Sequence, residues 1–172
     1  MVRATFEKKL GQLDLEPIMF SLVKAADGPH WDFETACVVE KWYRRFHTLY
    51  FLHPEALLVP DKMIDTFWHY HILDTQKYYE DCILLHGHIL HHFPYFGVRD
   101  EDDRKALEKS YGSTLALYAA EFGERPQYRE LSSMSVEAGV LCGAGGSDCS
   151  KGDSSIIRTN IRPKINLQSM FS

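Results

Sequence analysis

Between Asp32 and Pro54 lies the segment that most restricts the architecture of this chain. Val38, Val39, Trp42, Phe46, Leu49 and Tyr50 recur at three- and four-residue spacing, which gathers them on one stripe of an α-helix. Asp32 stands where an N-cap is wanted, so the pattern predicts a helix over 33–52 that His53-Pro54 stops. A stripe of that length has to be covered by other elements. Asp14 is placed to cap a helix running to about Ala26, with Pro17 in its first turn and Gly28-Pro29 after it. Pro60-Asp61 opens another through about Leu73, and Asp74-Thr75 recaps a further one over about 75–86, ended by Gly87. The string HILHHFPYFG reads as a short turn closed by Pro94 and Gly97. Asp100 to Phe122 reads as a last helix, acidic in its first turn as the macrodipole prefers, with Gly123 stopping it. No stretch alternates with period two for long enough to demand a sheet. The expected fold is all-α, a compact bundle of about five helices.

Length and composition agree. A chain of 172 residues suits one domain with a tail, and 45% hydrophobic content excludes full disorder, collagen-like repeats and a disulfide-dense scaffold. The net charge of −5, with no long Lys/Arg run, argues against nucleic acid as a partner. The N-terminus has no apolar core of a signal peptide, and no window approaches a membrane span. Cys37, Cys82, Cys142 and Cys149 are irregularly spaced with no CxxC pair, which reads as reduced thiols and a cytoplasmic setting. The composition changes near Gly123, and all three Trp precede it. Residues 1–123 therefore read as a helical domain carrying the chemistry, and 124–172 as a largely flexible Gly/Ser-rich tail. Ile156, Ile157, Ile161, Ile165, Leu167, Met170 and Phe171 leave room for that tail to add a short strand or lid, or to bind a protein partner.

The strongest anomaly is histidine. Of nine in the chain, His69, His71, His86, His88, His91 and His92 crowd into residues 69–92. Neutral imidazole is the commonest ligand for transition metals. Asp65, Asp74 and Asp81 lie in or beside the same window as ligands or as groups that fix imidazole tautomers. Spacing sorts them. On a regular helix His69 and His71 point about 160° apart and cannot share an ion. Asp65 with His69 (i,i+4) and His71 with Asp74 (i,i+3) do share faces. His71 lies within the apolar face of Ile64, Phe67, Trp68 and Ile72, where a satisfied core histidine is the competing reading. If the turn after Gly87 is helical, His88 pairs with both His91 and His92. Folding that turn back on 65–74 would give a 2-His-1-carboxylate or 3-His site. Structural zinc would want paired cysteines, and only Cys82 is near. His86 and His88, which flank Gly87, read as exposed.

The run DTFWHYHILDTQKYYEDCILLHGHILHHFPYFG, Asp65 to Gly97, resembles the signature of the glycine-rich domain-containing protein-like family. The shared strings are D-x-x-W-H-x-H, then L-D-T, D-C, and L-H-H-x-P-Y-x-G. The helix before it, VVEKWYRRFHTLYFLHP, is similar too, so the likeness covers about 40–120. His86 and His88 stand where that family tends to have aromatics. The resemblance raises His69, His71, His91 and His92 over His86 and His88 as metal ligands. Together with the spacing it marks Asp65, Asp74 and Tyr95 as candidate catalytic residues.

Other chemistries are poorly served. There is no GxGxxG or Walker string, and no nucleophile elbow to pair Cys82 with a histidine. Arg44, Arg45 and the run Asp100–Asp103 read as solvated faces. The expectation is a small metal-dependent enzyme, with iron or copper in a His/Asp site, oxidising a small molecule or peptide. The alternatives are a non-enzymatic interaction module built on a structural His–Asp network, and a metal-dependent hydrolase.

Overall fold

The computed structural model describes residues 1–26, 28–128 and 143–145. Among these residues six helices follow one another: α1 (Arg3–Leu10), α2 (Glu16–Lys24), α3 (Phe33–Leu52), α4 (Lys62–Leu73), α5 (Thr75–His86) and α6 (Glu101–Phe122). A strand β1 (His91–Phe93) precedes α6, and β2 (Gly143–Gly145) pairs with it antiparallel, His92 opposite Ala144. The core is all-α. Among the described residues no helix is long and apolar enough to cross a membrane.

Aspartates set most of the boundaries. Asp32 accepts the Thr35 amide at 2.6 Å, Asp61 accepts those of Met63 and Ile64, and Asp100 accepts that of Asp103. Each pairs an N-terminal amide that has no partner inside its helix. Gly87 and Gly123 close α5 and α6 in the left-handed conformation, at φ +77° and +71°. α2 starts later than expected: its N-cap is Leu15, while Asp14 accepts the Glu16 amide from one residue further out. α1 was not legible, because Val2 offers no side-chain cap and only Phe6 and Leu10 of its eight residues are buried.

α3 is the axis of the bundle. Val39, Tyr43, Phe46 and Leu49 are fully buried, and α1, α2, α4 and α6 all pack on this helix. Its arginines are structural rather than solvated. The Arg44 guanidinium donates to the Leu10 and Leu13 carbonyls, which lie at and just beyond the end of α1. Arg45 lies over the Trp42 ring at 4.5 Å and the Phe122 ring at 4.8 Å. Asp103 also departs from the expected solvated run. It is buried and accepts the Gly97 amide at 2.7 Å and the Arg99 guanidinium.

The segment after Gly87, read as a short turn, is not helical. Residues 91–93 are extended, so His91 and His92 face opposite ways. The partner strand comes from the Gly-rich run. The expected lid, residues 156–171, lies outside the described residues, as does most of the expected tail. Beyond Gly123 the chain still touches the bundle, since the Tyr128 hydroxyl donates to Asp61 Oδ2 at 2.7 Å.

Gly97 has φ +85°, and a Cβ there would meet Leu107 Cδ2 at 2.5 Å. Both conformation and space demand glycine. Gly97→Ala is expected to lower the unfolding free energy by about 2 kcal/mol or more in urea titrations. A variant as stable as the parent would contradict this packing.

Candidate metal centre

One turn of α4 brings Asp65 and His69 to the same face, as the i,i+4 spacing requires. β1 then lays His92 against them. Asp65 Oδ2 lies 3.4 Å from His69 Nδ1, and Oδ1 lies 3.3 Å from His92 Nε2. The two imidazole rings are 4.4 Å apart, and one ligand atom from each of the three residues falls within 4.8 Å of the others. Asp65 and His92 are largely covered, with 8% and 10% of their side chains exposed, whereas His69 keeps 41%. The centre is therefore anchored inside and open on one side. Partial burial pushes the His69 pKa down; Asp65 pulls it up and His92 pushes it down further. The net shift is downward, toward the neutral imidazole that can bind a metal.

What fixes His92 is a hold on the residue two before it. Tyr78, on α5, donates its hydroxyl proton to the Leu90 carbonyl and accepts the Trp68 indole N–H at 2.9 Å. The Leu90 amide in turn reaches Cys82, one helical turn beyond Tyr78. Trp68 is fully buried and meets the His92 ring edge-on at 4.9 Å. Tyr78, Cys82 and Trp68 thus position a segment that its own backbone barely orders. Burial raises the Cys82 thiol pKa, which suits packing and not nucleophilic use.

The other expected site residues go elsewhere. His71 is fully buried, with Nδ1 2.9 Å from the Tyr43 hydroxyl and Nε2 3.0 Å from Asp81 Oδ2. An ionised Asp81 only accepts, so Nε2 carries the proton and Nδ1 accepts from Tyr43. Neither nitrogen is left for a metal. Burial pushes the Asp81 pKa up, but hydrogen bonds from His71 and from Lys77 outweigh it and hold the carboxyl below its usual range. Asp74 caps α5 by accepting the Lys77 amide at 3.2 Å, and is not beside His71 in the network. His91 is exposed on the far face of β1. Tyr95 packs edge-on against Phe93 at 5.4 Å.

His86 and His88 are not simply exposed. They turn toward α3, where His47 Nδ1 lies 3.0 Å from His86 Nε2 and the Tyr50 hydroxyl lies 3.4 Å from His88 Nε2. The spacing within 69–92 gave no sign of this, because His47 lies far upstream. Burial drives the His47 pKa well down, helped by His86; burial, with His88, takes His86 down to about 4. In the unfolded chain both imidazoles titrate near about 6.5. Below that pH the unfolded state binds protons that the folded state refuses, so stability must fall on acidification. Urea unfolding should show a loss between pH 6.5 and pH 4 of at most about 1.4 kcal/mol per pH unit for each imidazole. His86→Phe should flatten that slope.

A family model described as UCP032817-like matches residues 7–114, which takes in the second half of α1, all of α2 to α5 and every histidine discussed above. Neither the curated proteins nor the solved structures gave a match. The match spans well over half of the sequence and includes the Asp65, His69 and His92 centre, so this chain belongs to the UCP032817-like family.

Proposed function

We propose that this protein is a small metal-dependent oxidoreductase, with a transition metal held by Asp65, His69 and His92 and a small molecule or peptide as substrate. The observation that carries the reading is the convergence of one carboxylate and two imidazoles from two elements to within 4.8 Å. Two imidazoles and one carboxylate form the donor set of non-haem iron sites, which keep open coordination positions. The carboxylate favours iron over copper. A metal in that set would supply the positions at which oxygen and substrate meet. The chain's own part is to hold the ligands. Asp65 orients both imidazoles, Trp68 covers the inner edge of His92, and Tyr78 fixes Leu90. The half-exposed His69 edge leaves the approach for a substrate.

A second reading is favoured by the same contacts. Each oxygen of Asp65 already meets an imidazole nitrogen, and His71 with Asp81 forms a separate satisfied pair. Two such networks would suit a non-enzymatic module that binds a partner through a rigid scaffold.

Elemental analysis separates the two. Protein purified without chelator is expected to carry close to one iron per chain and to lose it on His92→Ala. Tyr78→Phe, which frees Leu90 without touching a ligand, should weaken metal binding by roughly tenfold or more. Metal-free protein from metal-replete cells, with a melting temperature indifferent to chelator, would overturn the metal reading and favour the second.

A further inference from the structure

A buried line of hydrogen bonds, outside the ligands of the Asp65 centre, ends on the Tyr43 phenol of α3. Tyr43 and His71 are both without solvent exposure. The Tyr43 hydroxyl donates to His71 Nδ1 at 2.9 Å, and His71 Nε2 donates to Asp81 Oδ2 at 3.0 Å. Lys77 meets the same carboxylate oxygen at 2.9 Å. We propose that Tyr43 is a one-electron redox site, with His71 as the acceptor of its phenolic proton.

The order of the groups supplies the chemistry. Burial holds the Tyr43 pKa well above that of an ordinary phenol, so the hydroxyl keeps its proton at rest. Removing one electron turns the phenol into a strong acid, and a radical cation in the core would be a buried charge with no partner. The proton has one short step to take, from Tyr43 Oη to the lone pair on His71 Nδ1. What remains is a neutral phenoxyl radical beside an imidazolium, and the Nε2 proton of that imidazolium already meets the Asp81 carboxylate. Tyr43 is oxidised by one electron and the oxidant is reduced by one. The proton returns along the same bond when the radical is reduced, so none is exchanged with solvent.

Other phenols are placed differently. Tyr78 and Tyr118 donate to the carbonyls of Leu90 and Trp42, which take up no proton, and the Tyr50 hydroxyl lies 3.4 Å from His88 Nε2. Tyr128 donates to the Asp61 carboxylate and is the competing pair. Aromatic contacts also lead from Tyr43 toward the Asp65 centre. The His71 ring lies 5.9 Å from that of Tyr43 and 5.1 Å from that of Tyr78. Tyr78 accepts from Trp68, whose ring lies 4.9 Å from that of His92. Each step is short for electron tunnelling, so a one-electron oxidant at the Asp65 centre could draw the electron from Tyr43. That link rests on the metal reading; the redox site itself does not.

Flash-generated ruthenium(III) tris-bipyridine can oxidise the full chain by one electron with chelator present, so failure of the metal reading leaves this test intact. Electron paramagnetic resonance is expected to show a tyrosyl radical, its yield lowered at least tenfold by Tyr43→Phe and by His71→Phe. Should either variant not fold, ¹⁵N-histidine labelling of the parent chain reads the same bond: one imidazole nitrogen should couple to the radical. A radical that Tyr43→Phe or His71→Phe leaves at its parental yield, or that Tyr128→Phe removes instead, would overturn the proposal. So would the absence of a tyrosyl radical, or a radical without the nitrogen coupling.

Discussion

The hydroxyl of Tyr78 is the group on which the arrangement of the centre rests. It sits in the core, accepts from Trp68 on α4 and donates to the Leu90 carbonyl, so both of its roles are used inside the protein. Burial leaves it no competing water, and its pKa is raised far enough that it stays a donor. Residues 87–93 contain no helix that could carry His92 to Asp65. They reach it because the Leu90 carbonyl is held by Tyr78 and its amide by Cys82, a pair one turn apart on α5. A rigid helix thereby lends its precision to an irregular segment, as a binding constellation requires.

The histidines divide by the company they keep. His69 and His92 share a carboxylate, and His69 faces an opening. His71 shares another carboxylate but spends its second nitrogen on Tyr43. His47 and His86 have each other. The same side chain therefore serves as a candidate ligand beside an acid, as a locked structural link, and as a neutral buried donor. Burial and partner decide which, because they determine whether a nitrogen lone pair is left over.

The helices were legible wherever a short polar residue met an apolar stripe. α3, α4 and α5 begin and end where Asp32, Asp61, Asp74, Pro54 and Gly87 imply, since capping is a local interaction. α1 escaped because its anchoring is tertiary: Phe6 and Leu10 pack inward, and Arg44 takes the Leu10 carbonyl from α3. The centre was half legible. Asp65 and His69 follow from helical spacing alone. His92 was among the candidates, but spacing could pair it only if the turn were helical, and β1 sends His91 outward instead. His71 was misplaced because its partner Tyr43 comes from another helix. His47 was missed for the same reason, its contact with His86 being fixed by how α3 packs and not by local spacing.

Asp74 is both the C-cap of α4 and the N-cap of α5. With no linker between them, the two helices share a joint of a single residue. One added residue at that joint would shift where α5 starts relative to α4. Tyr78 would then face away from Trp68, and Asp81 away from His71. The length of this stretch is therefore constrained as well as its contact residues. The distance in sequence from Trp68 to Tyr78 is a dimension of the machine, and an insertion or deletion there has no neutral form.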